Sequence, residues 1–518
     1  MLRRLGLGIA LLVSLAAPLV AEDARKGQDL QDRLVKLAKD AEERTVIVYG
    51  AVGLGSGAVV DARGTVVTNA HVGLFARVAL LQFQDGRKIK ARRRGMDLER
   101  DLAIYEPIEK LEKPVPFFEL ASERPEVGTW LVAVGYPGGP RGDLRATFSL
   151  GKAIEGGGLK QAINGILRYD DAIRTDIAIF PGNSGGPLLD LDGKLHGING
   201  ALEFGTGAGF AVPADIVKDR LETLEGGAIR LPGGRVLKGN SFLARAIDRV
   251  IEPRIERMVE RVKEGFDPNP KGHFTGEHVK QASDDLARHL RELPHARALA
   301  DLLHGIETRG LAVSLDEKHL ATRIDRTHLV AKASFLGEQK EWTFGTHEKA
   351  RVVKVDEKND LALLETGEAD VKVPSDAKAP SVGTLCAAIG PDGILACGIV
   401  SVGAREIPEA VSERIASGGT AGQLAKLLKR LGQLSPSLEQ ALEPIVGQLE
   451  AQESINAGNE PRGYERVLSH DAPLAPSEAG APLLDLEGRL VGVNVSNANY
   501  GTSYAVPIET VRKTFGLR

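Results

Sequence analysis

The feature that most constrains this chain is that it repeats itself. Arg100-Asp101-Leu102-Ala103-Ile104 is answered by Asn359-Asp360-Leu361-Ala362-Leu363, and Gly128-Thr129 through Gly135 by Gly383-Thr384 through Gly390. Pro187-Leu188-Leu189-Asp190-Leu191-Asp192-Gly193 returns as Pro482-Leu483-Leu484-Asp485-Leu486-Glu487-Gly488, and Ala211-Val212-Pro213 as Ala505-Val506-Pro507. Pieces that recur in one order mean two copies of one fold. A chain of 518 residues is in any case too long for a single ordinary core.

Within the first copy the texture is short β-type runs between glycine turns. Thr45–Tyr49, Gly55–Val60, Thr65–Ala70, Val78–Phe83, Leu102–Tyr105 and Trp130–Gly135 read as strands, with Asp61-Ala62-Arg63-Gly64 as a hairpin turn. Many short strands and few helices predict a mainly β barrel or sandwich. Ahead of them, Leu30, Leu34, Leu37 and Ala41 stand at helical spacing and predict a leading helix within residues 22–45. Helical periods return between 240 and 304, interrupted by Pro253, Asp267-Pro268-Asn269-Pro270 and Pro294, and again through Leu424, Leu427, Leu428 and Leu431. The expected organisation is a first β domain at 46–225, a helical connector at 226–305, and a second β domain at 306–518. A helical insertion at about 405–465 interrupts that second domain.

Arg3 and Arg4 precede an apolar run from Leu5 to Val20 that closes at Ala21 before Glu22 and Asp23. That is the order of a secretory signal peptide over residues 1–21, with an uncleaved anchor as the other reading. No later stretch is apolar enough to cross a bilayer, so the mature chain is expected to be exported, periplasmic or secreted, without a membrane span. A net charge of -4 gives no pull toward nucleic acid or an anionic membrane. Lys88, Lys90 and Arg92-Arg93-Arg94 read as a solvated hairpin face. Cys386 and Cys397 lie in apolar runs either side of Gly390-Pro391-Asp392-Gly393, where a hairpin would allow a cross-strand disulfide; two buried thiols are the alternative. His278, His289, His295 and His304 do not share a helix face at metal-ligand spacing, and no metal, nucleotide or other cofactor motif occurs, so no cofactor is expected.

The chemistry gathers on Pro181-Gly182-Asn183-Ser184-Gly185-Gly186-Pro187, a serine bracketed by glycines that let two backbone N–H groups converge on one point. A serine hydroxyl attacks only when a positioned base takes its proton and an acid group holds that base in the right tautomer. The first domain offers one candidate for each role: His71 in Thr68-Asn69-Ala70-His71-Val72, and Asp101 at the start of an apolar strand.

These residues, with Gly55-Ser56-Gly57, Thr175-Asp176, Gly197-Ile198-Asn199 and Gly209-Phe210-Ala211-Val212-Pro213, make residues 46–222 resemble a chymotrypsin-like serine protease of the HtrA/Deg-type branch. The resemblance implies a double β-barrel with His71, Asp101 and Ser184 as its triad, the N–H groups of Gly182 and Ser184 as the oxyanion hole, and Asn199, Gly200 and Ala201 as the edge on which a substrate peptide adds as a strand. Polypeptides, in unfolded or extended segments, are the implied substrates, and oligomeric assembly is left open. Asn183 stands where digestive relatives carry the acidic residue that pairs with a freed N-terminus, so activation by N-terminal insertion is not expected. Ala178, six before the serine, puts no carboxylate in the specificity pocket and points to a small or medium aliphatic residue before the cleaved bond.

In the second copy the serine position holds Ala479, the histidine position falls near Ser334, and Asp360 remains. That predicts a degenerate, catalytically inactive domain, so the whole reads as two chymotrypsin-like double β-barrel domains joined by a helical connector. The chain departs from the family after the first domain, where no PDZ-like pattern follows. Two other readings keep the same residues: a binding or scaffold protein that holds partners without cleaving them, and a serine esterase.

Overall fold

A computed structural model describes residues 25–517 except 51–53, 74–75, 137–144, 156–158, 164–166, 170, 178, 180–181, 203–207, 225, 231–233, 235, 239–287, 289, 304–305, 307, 317–318, 345–347, 408–463 and 499–501. The expected signal peptide, most of the connector, and the core of the expected insertion lie outside the described residues.

Helix α1 spans residues 25–42 and buries Leu30, Leu34, Leu37 and Ala41, the four residues whose spacing predicts it. Strands β1 (Thr45–Tyr49), β2 (Leu54–Val59), β3 (Val66–Thr68), β4 (Val78–Gln82), β5 (Lys88–Asp97) and β6 (Leu102–Pro107) follow. They run in the order β5-β4-β1-β2-β3-β6, and β5 pairs with β6 to close the ring. Asp61 makes the hairpin between β2 and β3: its carboxylate accepts the N–H groups of Arg63 and Thr65 at 2.9 and 3.1 Å. The basic run lies on β5 and is not a uniform surface face. Lys88, Lys90 and Arg92 are exposed, Arg93 is buried, and Arg94 is tied to Glu106 and to the Leu221 and Leu224 carbonyls.

A second set comprises β7 (Trp130–Gly135), β8 (Thr147–Lys152), β9 (Leu159–Ile163), β10 (Leu167–Tyr169), β11 (Ile173–Thr175), β12 (Pro187–Asp190), β13 (Leu195–Leu202) and β14 (Gly209–Pro213). Its main sheet runs β11-β14-β13-β12-β7-β8, and a bridge between Ala153 and Thr175 draws its two edges together. Helix α2 (Ala214–Thr223) then leads to β15 (Ala228–Arg230) and β16 (Val236–Leu237). These two strands correct the expected helical connector at 226–305. β15 pairs in parallel with β5, Ile229 opposite Met96, so the first domain continues to Leu237. The described end of the connector is helical: α3 (Pro294–Leu303) starts on the proline that reads as an interruption, a residue suited to the first turn because it has no N–H to leave unpaired.

The second half repeats the plan. β17 (Ala312–Ser314), β18 (Leu320–Arg323), β19 (His328–Lys332), helix α4 (Ala333–Leu336), β20 (Glu341–Phe344), β21 (Glu348–Asp356) and β22 (Leu361–Thr366) come first. Their order β17-β18-β19-β22-β21-β20 matches the first ring, but among the described residues the sheet stays open between β17 and β20. β23 (Leu385–Gly390), β24 (Gly393–Ile407), β25 (Tyr464–His470), β26 (Pro482–Asp485), β27 (Leu490–Ala498) and β28 (Thr502–Pro507) then form a closed barrel, capped by α5 (Ile508–Phe515). The expected insertion begins and ends between paired residues, Ile407 opposite Tyr464.

The fold is thus mainly β, with two protease-like halves. β23 and β24 do form the hairpin that the cysteines suggest, but the register sets Cys397 opposite Ala387 and Cys386 opposite Gly398. The two thiols therefore point to opposite faces, each into its own apolar cluster, and remain free. Burial pushes both up, Cys397 to about 12.

Candidate active site

His71 follows β3, Asp101 immediately precedes β6, and Ser184 sits in the turn before β12, so the two barrels supply the site from both sides. Asp101 is fully buried, and its backbone is left-handed with φ 52°, a region tolerated better by Asp and Asn than by most side chains. Asn69 Nδ2 donates to its carbonyl at 3.1 Å and holds the turn. In that conformation the carboxylate faces back onto His71. Oδ1 accepts the His71 backbone N–H at 2.9 Å, and Oδ2 lies 2.8 Å from Nδ1. Because the carboxylate can only accept, Nδ1 carries the hydrogen and Nε2 is left as the basic nitrogen. The imidazole is about one-fifth exposed, and the carboxylate is not exposed at all.

The Ser184 loop is fixed by its contacts with the first barrel. Ser56 N–H donates to Ser184 O at 2.8 Å, and Ser56 Oγ donates to Gly182 O at 2.6 Å. Gly185 has φ 86°, and a Cβ there would fall 2.1 Å from Thr68 Oγ1 and 2.2 Å from Ser56 O, so only glycine fits. The N–H groups of Gly182 and Ser184 are not committed to any partner among the described residues. The Ser184 hydroxyl donates to Gly200 O at 3.3 Å.

Asn199 is locked into the loop: its N–H donates to Gly186 O, its carbonyl accepts Gly185 N–H, and Nδ2 donates to Pro187 O at 2.8 Å. Gly200 and Ala201 lie beyond that lock on β13, where the ladder shifts register. Ala178 lies outside the described residues. Two residues belong to the site that motif reading leaves without a role: Ser56, whose partners are described above, and Tyr169, whose hydroxyl donates to Asp101 Oδ2.

The second half builds the same corner from different residues. Asp360 is left-handed with φ 54°, and its Oδ1 and Oδ2 accept the N–H and hydroxyl of Ser334, each at 2.7 Å. Ser334 thus occupies the place of His71. Ala479 occupies the place of Ser184: Gly480 N–H donates to Asn494 O as Gly185 N–H does to Asn199 O, and Gly480 has φ 98°. The loop itself is closed differently. Pro476–Glu478 winds into a short 3₁₀ turn in which the Ala479 N–H donates to Pro476 O at 3.4 Å. Arg291, from the connector, grips Glu478 through both terminal guanidinium nitrogens, and its Nε donates to Pro473 O at 3.0 Å.

No cluster of His, Cys, Asp or Glu capable of holding a metal occurs among the described residues, nor any helix long and apolar enough to cross a membrane.

Paired barrels with a histidine, an aspartate and a serine brought in from both sides define a chymotrypsin-like architecture. The chain belongs to the trypsin-like peptidase domain family, which matches residues 55–198 and again 327–493, together more than half of its length. Among curated relatives, a probable periplasmic serine endoprotease DegP-like from Chlamydia muridarum is 37% identical over 190 residues, 36% of this chain and 35% of that protein. A putative serine protease HhoA from Synechocystis is 41% identical over 178 residues, 34% of this chain and 44% of that protein. The chain therefore spans less than half the length of these relatives. Among solved structures, the serine endoprotease from Yersinia pestis is 29% identical, with TM-score 0.31, over 37% of this chain and 65% of that one.

Proposed function

We propose that the first domain is a serine endopeptidase and the second an inactive copy. The observation that carries this reading is the contrast between the two corners. In the first, a buried carboxylate holds the His71 imidazole, and the Ser184 loop keeps two N–H groups uncommitted among the described residues. In the second, a serine stands where the base would be and an alanine where the nucleophile would be, and the N–H of that alanine is spent on its own turn.

In the proposed mechanism His71 Nε2 takes the Ser184 proton as Oγ leaves Gly200 O and attacks the scissile carbonyl. Asp101 stabilises the imidazolium that forms, and the N–H groups of Gly182 and Ser184 receive the oxyanion, each contributing roughly 3–4 kcal/mol by analogy with related sites. The imidazolium then protonates the leaving amine, and water resolves the acyl-enzyme by the same route in reverse. Relatives named as periplasmic endoproteases and the signal-like N-terminus support an exported setting, with unfolded or extended polypeptides as substrates and quality control or processing as the role. The Ala178 position supports cleavage after small or medium aliphatic residues.

A fluorophosphonate probe tests the nucleophile. It should label the wild type and not Ser184→Ala, and the wild type should degrade an unfolded protein such as casein. A wild type that the probe does not label would favour the scaffold reading. Labelling without proteolysis would favour an esterase.

A further inference from the structure

We propose that Tyr169 is a positioning residue for this site, its hydroxyl fixing the carboxylate that orients His71. The inference rests on the endopeptidase reading and extends it to a residue outside every motif that suggests that reading.

Asp101 is fully buried, and its Oδ2 is shared between two donors, His71 Nδ1 and Tyr169 Oη. Tyr169 closes β10 and is itself buried. Burial and the neighbouring Asp101 charge raise its phenol well above the ordinary value, so it remains a proton donor throughout the working range. A carboxylate held by one donor per oxygen can rock about its χ2 axis; a second donor on Oδ2 fixes its plane, and with it the direction in which Nδ1 is held.

The same hydroxyl end of the tyrosine lies against Gly200 of β13. A Cβ on Gly200 would lie 2.3 Å from Tyr169 Oη, so the hydroxyl fills the space that a side chain at 200 would take. Gly200 O is also the acceptor of the Ser184 hydroxyl. One phenol therefore packs between the acid and the strand that holds the nucleophile. Tyr464 stands seven residues before Asp471 as Tyr169 stands seven before Asp176, and it too is buried, although it opens the continuous strand β25 opposite Ile407 whereas a turn separates Tyr169 from β11. Ring burial is thus common to both copies, while an imidazole to position exists only in the first.

Tyr169→Phe keeps the ring and removes the donor; Tyr464→Phe is the control in the same chain. With a peptide substrate, Tyr169→Phe should lower kcat about tenfold, the size of a hydrogen bond to a charged group, with KM little changed. The acid limb of its kcat/KM profile should move to higher pH, because a carboxylate with fewer donors attracts the imidazolium more strongly. Tyr464→Phe should change neither. If Tyr169→Phe matches the wild type in kcat and acid limb, or if both variants lose activity alike through a lower Tm, the positioning role is overturned while the endopeptidase reading stands. A wild type that neither labels with a fluorophosphonate nor cleaves peptides overturns both.

Discussion

Ser56 is fully buried, and each of its polar atoms is in use. Its N–H and Oγ donate to Ser184 O and Gly182 O, its carbonyl accepts Thr68 Oγ1 at 2.7 Å, and its Oγ accepts the Tyr136 N–H at 2.9 Å. Ser56→Ala strips a donor from the Gly182 carbonyl and an acceptor from the Tyr136 N–H. The expected cost is about 1–3 kcal/mol of stability, together with a lower kcat as the Gly182 peptide loses its orientation. Denaturant unfolding and steady-state kinetics read the two effects, and a variant unchanged in both would remove Ser56 from the loop's support. The sequence displays Ser56 inside Gly55-Ser56-Gly57, and His71, Asp101 and Ser184 in contexts that name their chemistry. It does not display the 126-residue reach from Ser56 to Gly182, nor the 68-residue reach from Tyr169 to Asp101. A lone serine or tyrosine with a distant partner leaves no local pattern.

Among the elements, those bounded by glycine turns or carrying a clear period are the ones readable in advance: α1, and strands such as β1 and β7, agree closely with the expected ranges. β15 and β16 escape notice because two or three residues carry no period, and the partner that ties them to the sheet, β5, pairs in parallel with β15 from more than 130 residues back. β25 ends on a pair that the sequence gives no reason to single out. His470 takes the place that Thr175 has in the first half, is fully buried, and its Nε2 lies 2.7 Å from Asn494 Oδ1. Burial lowers it from 6.5 to about 4, so it folds neutral. Between those values the unfolded chain binds the extra proton, and the stability His470 contributes is present above 6.5 and lost as pH falls toward 4. The adjacent Asp471 acts in the opposite sense. Burial lifts it from 3.8 to about 6 against two N–H donors, so its contribution is largest below 3.8 and is lost as pH rises through 6. In the wild type the two trends largely cancel. His470→Gln keeps an amide donor for Asn494 and removes one of them. Between pH 7 and pH 5 the variant should gain about 2 kcal/mol relative to the wild type. Parallel urea titrations at the two pH values would show this, and an unchanged difference would refute it.

At the level of the whole molecule the repeat is legible and the way its halves join is not, because the joining surface is made of residues that each half also uses for its own barrel. Ser401 Oγ on β24 donates to Phe148 O on β8 at 2.6 Å, and Leu150 N–H on β8 donates to Asp471 Oδ2 at 2.8 Å. Helix α3 adds the His295 N–H on Asp176 Oδ2 at 2.8 Å, with its imidazole Nδ1 3.1 Å from Oδ1. Burial alone would raise Asp176, but His295 and the backbone donors outweigh it and hold the carboxyl below its ordinary value. Helix α1 braces both halves, Arg33 pairing with Asp192 in the first and Gln31 accepting the Leu385 N–H in the second. Phe148 and Leu150 from β8, Leu299 and Leu303 from α3, and Leu385 and Ile399 from the second barrel belong to one continuous apolar cluster. Separating the halves would expose that cluster, take the Leu150 N–H from Asp471 Oδ2 and take the Ser401 hydroxyl from the Phe148 carbonyl, a cost neither half can offset alone. Calorimetric unfolding of the full chain should therefore give a single cooperative transition, with van't Hoff and calorimetric enthalpies in agreement. Removing residues 306–518 should lower the midpoint of what remains. Two resolved transitions, with the first half melting at the same temperature in the full and shortened chains, would mean that the second copy rides on the first domain without supporting it.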